Sequence, residues 1–97
     1  VVSADRKVED AEWREPTIHD VYHAQEIVAT HLLRTPFFAS MKLSSVLGCE
    51  AYVKYENLQI TGAFKVRGGV NLMASLSDEE RQRGVVTAST GNHGQSI

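Results

Sequence analysis

Two stretches of this chain carry side chains whose types and spacing could do chemistry. The first is Thr61-Gly62-Ala63-Phe64-Lys65-Val66-Arg67-Gly68-Gly69. It places two cations, Lys65 and Arg67, in the opening turns of a helix expected to be capped by Thr61. Cations there face the positive end of the helix dipole, an arrangement that costs a few tenths of a kcal/mol or more each. An anion or an electrophile at the helix start would offset that cost. A lysine kept partly dry beside an aromatic ring and a second cation is suited to form a Schiff base with a carbonyl. The plainer reading is that both cations reach solvent. Likewise Gly62, Gly68 and Gly69 either admit close approach of a ligand or simply loosen a loop. The second stretch is Ser89-Thr90-Gly91-Asn92-His93-Gly94-Gln95. It follows an apolar β-branched run and opens a helix, the place where ligands bind in open α/β sheets. Free amide groups there can hold a carboxylate or phosphate; equally, Ser89 or Asn92 is an N-cap and His93 faces solvent.

Several other chemistries are excluded by pattern. G-x-G-x-x-G, G-x-x-x-x-G-K-[ST] and G-x-S-x-G are all absent, which removes the dinucleotide fingerprint, the phosphate loop and the nucleophile elbow. The single cysteine, Cys49, cannot form an internal disulfide, and with four scattered histidines it builds no zinc site. No metal ligand set is expected. The 97 residues carry 10 basic and 12 acidic side chains, a net charge of −2. That balance disfavours partnership with nucleic acid or an anionic membrane. No apolar run is long enough to span a bilayer and the first residues do not read as a signal peptide, so the expected location is cytoplasmic.

The elements that must position these stretches follow from local signals. Residues 1–16 mix charges of both signs, sustain no period, and are expected to form an N-terminal arm with Trp13 against a neighbour. Thr17 with Asp20 makes a capping box for a helix whose apolar face is Ile18, Val21, Tyr22, Ile27, Val28 and Leu32. It must stop before Thr35-Pro36. Phe37-Phe38-Ala39 is extended, Ser40 caps a short helix over 41–47, and Gly48 ends it in the left-handed conformation. Cys49 to Tyr55 alternates as a strand, with Ala51 and Val53 on one face. A loop over 56–60 leads to the helix expected from Thr61 to about Leu76. Ser77 and Glu80 cap another short helix closed by Gly84. Val85 to Ala88 is a short strand, 89–94 a turn, and Gln95 starts a helix. The alternation predicts an α/β fold with a parallel sheet, and the ending inside a helix predicts an N-terminal piece of a larger unit.

Arg34-Thr35-Pro36 with Ser40 and Leu43, the run from Val53 to Gly68 (V-K-Y-E-N-L-Q-I-T-G-A-F-K-V-R-G), and Ser89 to Gln95 (S-T-G-N-H-G-Q) together resemble one known family. They resemble the fold-type II pyridoxal-phosphate enzymes, in the threonine/serine dehydratase (ammonia-lyase) and serine racemase branch. The resemblance runs from about residue 17 to Ile97. It implies a tryptophan synthase β-like α/β fold, a three-layer sandwich with a parallel sheet when complete. Residues 17–76 would then be the N-terminal part of the large cofactor domain, and 77–97 the start of a small substrate-binding domain.

The resemblance also implies pyridoxal 5'-phosphate as cofactor and assigns roles residue by residue. Lys65 would hold the cofactor covalently and later take the substrate's Cα proton. Phe64 would lie against the pyridine ring, and Asn92 would hydrogen-bond its 3' oxygen. Ser89, Thr90, Gly91, Asn92 and His93 would receive the carboxylate of the amino acid substrate, while Arg67 would only support the site. Thr90 departs from the family's pattern, since dehydratases often carry alanine there and racemases a serine that works on the second face of Cα. A threonine hydroxyl therefore keeps racemase chemistry open as a second catalytic role. His93 separates the chain from the cysteine-synthase branch. The family's phosphate-binding loop, the partner of the pyridine nitrogen and its distal metal site would lie downstream. The expected reaction is β-elimination from L-threonine or L-serine, in a homo-oligomer (dimer or tetramer). The alternatives are a serine racemase, a dehydratase of a related 3-hydroxy amino acid, or a non-catalytic binding module if the natural chain ends here.

Overall fold

The computed structural model describes residues 14–97. The expected N-terminal arm, including Trp13, therefore lies almost wholly outside the described residues. Helix α1 spans Ile18–His31. Its capping box forms as the residues require: the Asp20 amide donates to the Thr17 hydroxyl and the Thr17 amide donates to the Asp20 carboxylate at 2.6 Å. Arg14 adds a two-pronged contact to the same carboxylate, at 2.7 and 2.8 Å. The helix ends at Leu32, whose backbone is extended, three residues ahead of Thr35-Pro36.

Strand β1, Phe37–Ala39, and strand β2, Tyr52–Lys54, pair antiparallel, with Phe37 opposite Lys54, Phe38 opposite Val53 and Ala39 opposite Tyr52. Between them lies helix α2, Met41–Leu47, capped by the Ser40 hydroxyl and ended by Gly48 at φ 68°. A positive φ there is cheap only for glycine. The Ser44 hydroxyl accepts from the Ala51 amide at 2.9 Å, which ties α2 back onto the start of β2. The alternation along β2 is as expected: Ala51 is buried and Val53 half-buried, while Tyr52 and Lys54 are exposed.

Glu56–Leu58 forms a single 3-10 turn. Helices α3, Lys65–Ser75, and α4, Asp78–Arg83, follow. The capping box of α4 forms between Ser77 and Glu80. Helix α5 is Asn92–Ser96. Helix α3 is central, packing against both α1 and α5.

Three expectations about elements are corrected. Thr61 does not cap α3, because Gly62 adopts φ +68° immediately after it and a right-handed helix cannot run through a left-handed residue. The Thr61 hydroxyl donates instead to the Ala63 carbonyl at 3.3 Å, and the helix starts at Lys65. Val85 to Ala88 is not a strand: among the described residues no neighbouring strand offers it a ladder, and Val86 is fully exposed. A β-branched run without a partner has nothing to bond to. Residues 92–94 are not part of a turn but the first residues of α5, packed on α3 strongly enough to keep Gly94 helical. The α/β character holds, yet the sheet formed among the described residues is two-stranded and antiparallel rather than parallel.

Burial is sparse. Among the described residues the buried apolar side chains are Ala51 and Val66, joined by the polar Thr35, Gln59 and Ser96. The N-terminal half of the expected inner face of α1 is open, with Ile18, Val21 and Tyr22 each more than half exposed, while Ile27, Val28 and Leu32 are half-buried. Among the described residues no helix is long and apolar enough to cross a membrane, and no cluster of His, Cys, Asp or Glu is placed to hold a metal ion.

Candidate active site

Lys65 is the first residue of α3, and Phe64 precedes it at the N-cap with no side-chain cap of its own. The Lys65 ammonium stands over the Phe64 ring, with Nζ 5.4 Å from the ring centroid. Both side chains are exposed. Among the described residues no hydrogen bond or ion pair claims the Lys65 amine. An amine held near an aromatic face, without a carboxylate partner, is available for covalent chemistry with a carbonyl.

Its neighbour Arg67 behaves differently. The Arg67 guanidinium donates to both oxygens of Glu56, Nε to Oε2 at 2.9 Å and Nη2 to Oε1 at 2.6 Å. The Thr35 hydroxyl also donates to Oε1, at 2.6 Å. Lys54 lies 3.9 Å from the same oxygen and donates to the Thr35 carbonyl at 3.2 Å. The Arg67 fork therefore holds the Glu56 carboxyl at about 2, below its usual 4.5, with Thr35 helping and partial burial opposing. A carboxylate of the chain itself answers Arg67.

Helix α5 is seated on α3 through Gly69. A Cβ built there would lie 2.6 Å from the Ser96 carbonyl carbon and 2.9 Å from Ser96 Cβ, so only a bare backbone allows this approach. The Ser96 hydroxyl donates to the His93 carbonyl at 2.7 Å, closing the short helix. The consequence is a cleft of about 440 Å³ lined by Phe64, Lys65 and Arg67 on one side and His93 and Ile97 on the other, with Gly68, Gly69 and Leu72 at its base.

The structure thus brings three of the expected site residues, Phe64, Lys65 and His93, to one cleft. Ser89, Thr90, Gly91 and Asn92 are exposed and do not line it. They form the approach to α5: the Ser89 hydroxyl accepts from the Gly91 amide at 3.1 Å, and Asn92 is the first helical residue. Two residues that the sequence reading left in a loop, Glu56 and Gln59, turn out to tie the first turn of α3 and the segment leaving α1 to one 3-10 turn. The buried Gln59 amide donates to the Leu33 carbonyl at 2.9 Å and accepts from the Leu33 amide at 3.3 Å. Both residues lie inside the run from Val53 to Gly68, which was the available signal.

The Lys65 amine thus opens a helix beside an aromatic ring and shares a cleft with His93 of a second helix. Residues 28–97 match the family model described as pyridoxal-phosphate dependent enzyme, and the chain belongs to that family, in its fold-type II class. It is 51% identical over 81 residues to an L-threonine ammonia-lyase of Thermotoga maritima, covering 84% of this chain and 20% of that protein. It is 44% identical over 82 residues to an L-threo-3-hydroxyaspartate ammonia-lyase of Saccharomyces cerevisiae, covering 84% of this chain and 25% of that protein. The solved structure of maize serine racemase superposes with a TM-score of 0.73 at 38% identity, covering 81% of this chain and 25% of that one. The chain spans about a fifth to a quarter of the length of these curated relatives.

The cofactor of the family is pyridoxal 5'-phosphate. The residues present fit that group: an uncommitted lysine amine for its aldehyde, an aromatic side chain beside the amine, and an adjoining cleft.

Proposed function

We propose that this chain carries the cofactor lysine and the substrate-carboxylate loop of an ammonia-lyase acting on L-threonine or L-serine. The observation that carries the reading is the uncommitted Lys65 amine sharing one cleft with His93. When bound, pyridoxal phosphate supplies an electron sink for the charge left at Cα. Lys65 would hold the cofactor and, once freed by the substrate's amine, would take the Cα proton. Phe64 would lie beside the cofactor and Asn92 would serve as a hydrogen-bond partner for it. Ser89, Thr90, Gly91, Asn92 and His93 grip the substrate carboxylate and so aim the Cα–H bond at the Lys65 amine. Loss of that proton and of hydroxide from Cβ leaves an enamine. Its hydrolysis releases ammonia with 2-oxobutyrate from threonine or pyruvate from serine. The stretch from about residue 77 belongs, in this reading, to a smaller substrate-binding domain, and the active protein is a homo-oligomer with a larger parallel sheet.

A second reading rests on Thr90. Its exposed hydroxyl next to the carboxylate loop is a proton donor for the opposite face of Cα, which would give racemisation of serine. One incubation separates the two. The loaded protein is mixed with L-serine or L-threonine, and keto acid, ammonia and D-isomer are measured together. Keto acid and ammonia in equal amounts support the lyase; D-serine without ammonia overturns it in favour of the racemase. Lys65→Ala is expected to abolish the visible absorption of the lysine-bound cofactor, and a surviving band would refute the lysine assignment.

A further inference from the structure

We propose that Glu56 is a positioning residue of this site, which clamps Arg67 and thereby fixes the first turn of α3 and the Lys65 amine that it carries. The inference rests on the reading of Lys65 as the cofactor lysine and goes beyond it by naming what holds that lysine in place.

Helix α3 starts with no side-chain cap, so nothing local to its own sequence immobilises the first turn. Two cations in that turn oppose the helix dipole. Arg67, two residues after Lys65, is the handle by which the turn is held. Its planar fork meets both Glu56 oxygens, a geometry that fixes direction as well as distance. The Glu56 side chain is only 16% exposed and that of Arg67 31%, so solvent competes weakly for the pair. On its far side Glu56 is itself held. Oε1 takes the hydroxyl of the buried Thr35, and Lys54 bridges the same oxygen and the Thr35 carbonyl. Three residues on, Gln59 grips both backbone groups of Leu33. One 3-10 turn therefore links the segment leaving α1 to the turn that presents the lysine.

The contact differs from an ordinary surface pair. Arg14 and Asp20 make a contact of similar length, 2.7 Å, but with side chains 65% and 38% exposed. Arg67, by contrast, lines the same cleft as Lys65 and His93. Without Glu56 its guanidinium would be a loose cation on the cleft wall, free to take any anionic group that enters.

The test uses the loaded holoenzyme with Glu56→Gln, Arg67→Lys and the double variant Glu56→Gln/Arg67→Met. Melting temperature, retention of pyridoxal phosphate through gel filtration, the visible band, and kcat and KM are read for each. Arg67→Lys keeps the charge and loses the fork, so it is expected to stay folded. Its kcat should fall by about a hundredfold, with faster cofactor loss and little change in KM, as misplacement of a reacting group predicts. Glu56→Gln should do the same and melt lower. The double variant removes both charges, which restores melting temperature because no unpaired buried charge remains, but should not restore kcat or cofactor retention. Recovery of kcat in the double variant, or wild-type kcat and retention in Arg67→Lys, would reduce the clamp to a stability element and overturn the proposal. Failure of the Lys65 reading is distinguishable, since it appears as a persistent visible band in Lys65→Ala whatever the Glu56 variants do.

Discussion

Lys65 and Glu56 stand for two ways in which a side chain becomes legible. Lys65 announces itself by what surrounds it in the chain, an aromatic before it and a second cation two residues later, and the structure adds that among the described residues no hydrogen bond or ion pair claims its amine. Glu56 is invisible by type, since an acid in a polar loop is ordinary. Only its partners, 21 residues before it and 11 after, make it special. Its depressed pKa predicts an acid-side dependence of stability. The folded value lies at about 2 against an ordinary 4.5, so the stabilisation is complete above pH 4.5 and disappears as pH falls from there through about 2. Denaturant melts at stepped pH should show that slope, and Glu56→Gln should flatten it while lowering stability at neutral pH. Asp20 is held below the ordinary range as well, chiefly by Arg14 and then by Thr17. Its exposure leaves that pair easily screened by salt.

At the scale of elements, local chemistry predicts local structure wherever a cap closes on itself. The Thr17–Asp20 and Ser77–Glu80 boxes, the Ser40 cap and the left-handed Gly48 all form as their residues require. Ser77→Ala should therefore cost about 1 kcal/mol, measured by urea unfolding, with Ser77→Asp recovering most of it. The elements that departed from expectation are those decided at longer range. Thr61 is a good cap residue, but the positive φ of Gly62 delays the helix to Lys65. Val85 to Ala88 has strand-forming side chains and no partner strand among the described residues. Asn92 to Gly94 reads as a turn because of its flanking glycines, yet the seat against α3 makes it helical. Propensity is a weak prior in each case, and a tertiary contact, or the lack of one, outweighs it.

For the whole molecule the decisive quantity is uncovered apolar surface. Met41, Val46, Ile60 and both phenylalanines of β1 are more than half exposed, alongside the open N-terminal half of the α1 face. Phe37 stacks on Tyr52 at 5.5 Å and Phe38 on Tyr55 at 6.4 Å, and these ring pairs remain at the surface. So many exposed large apolar side chains favour association with further protein surface. The 97-residue polypeptide expressed by itself is expected to bind a hydrophobic dye and to sediment as concentration-dependent aggregates. A monomer that stays dye-silent at high concentration would contradict that expectation.

The sequence by itself determined the caps at Thr17, Ser40 and Ser77, the left-handed Gly48 and the signature that places a lysine directly after an aromatic, because each depends on residues a few positions apart. The resemblance carried by those residues was sufficient to name the family and its cofactor. Only the tertiary structure decided that Arg67 is answered by Glu56, that Gly69 lets α5 lie on α3, and that His93 reaches the cleft of Lys65. The physical reason is range. A cap is satisfied within one turn of backbone, whereas a half-buried ion pair and a glycine contact need two distant segments brought to hydrogen-bond or van der Waals distance, which nothing in either segment alone prescribes.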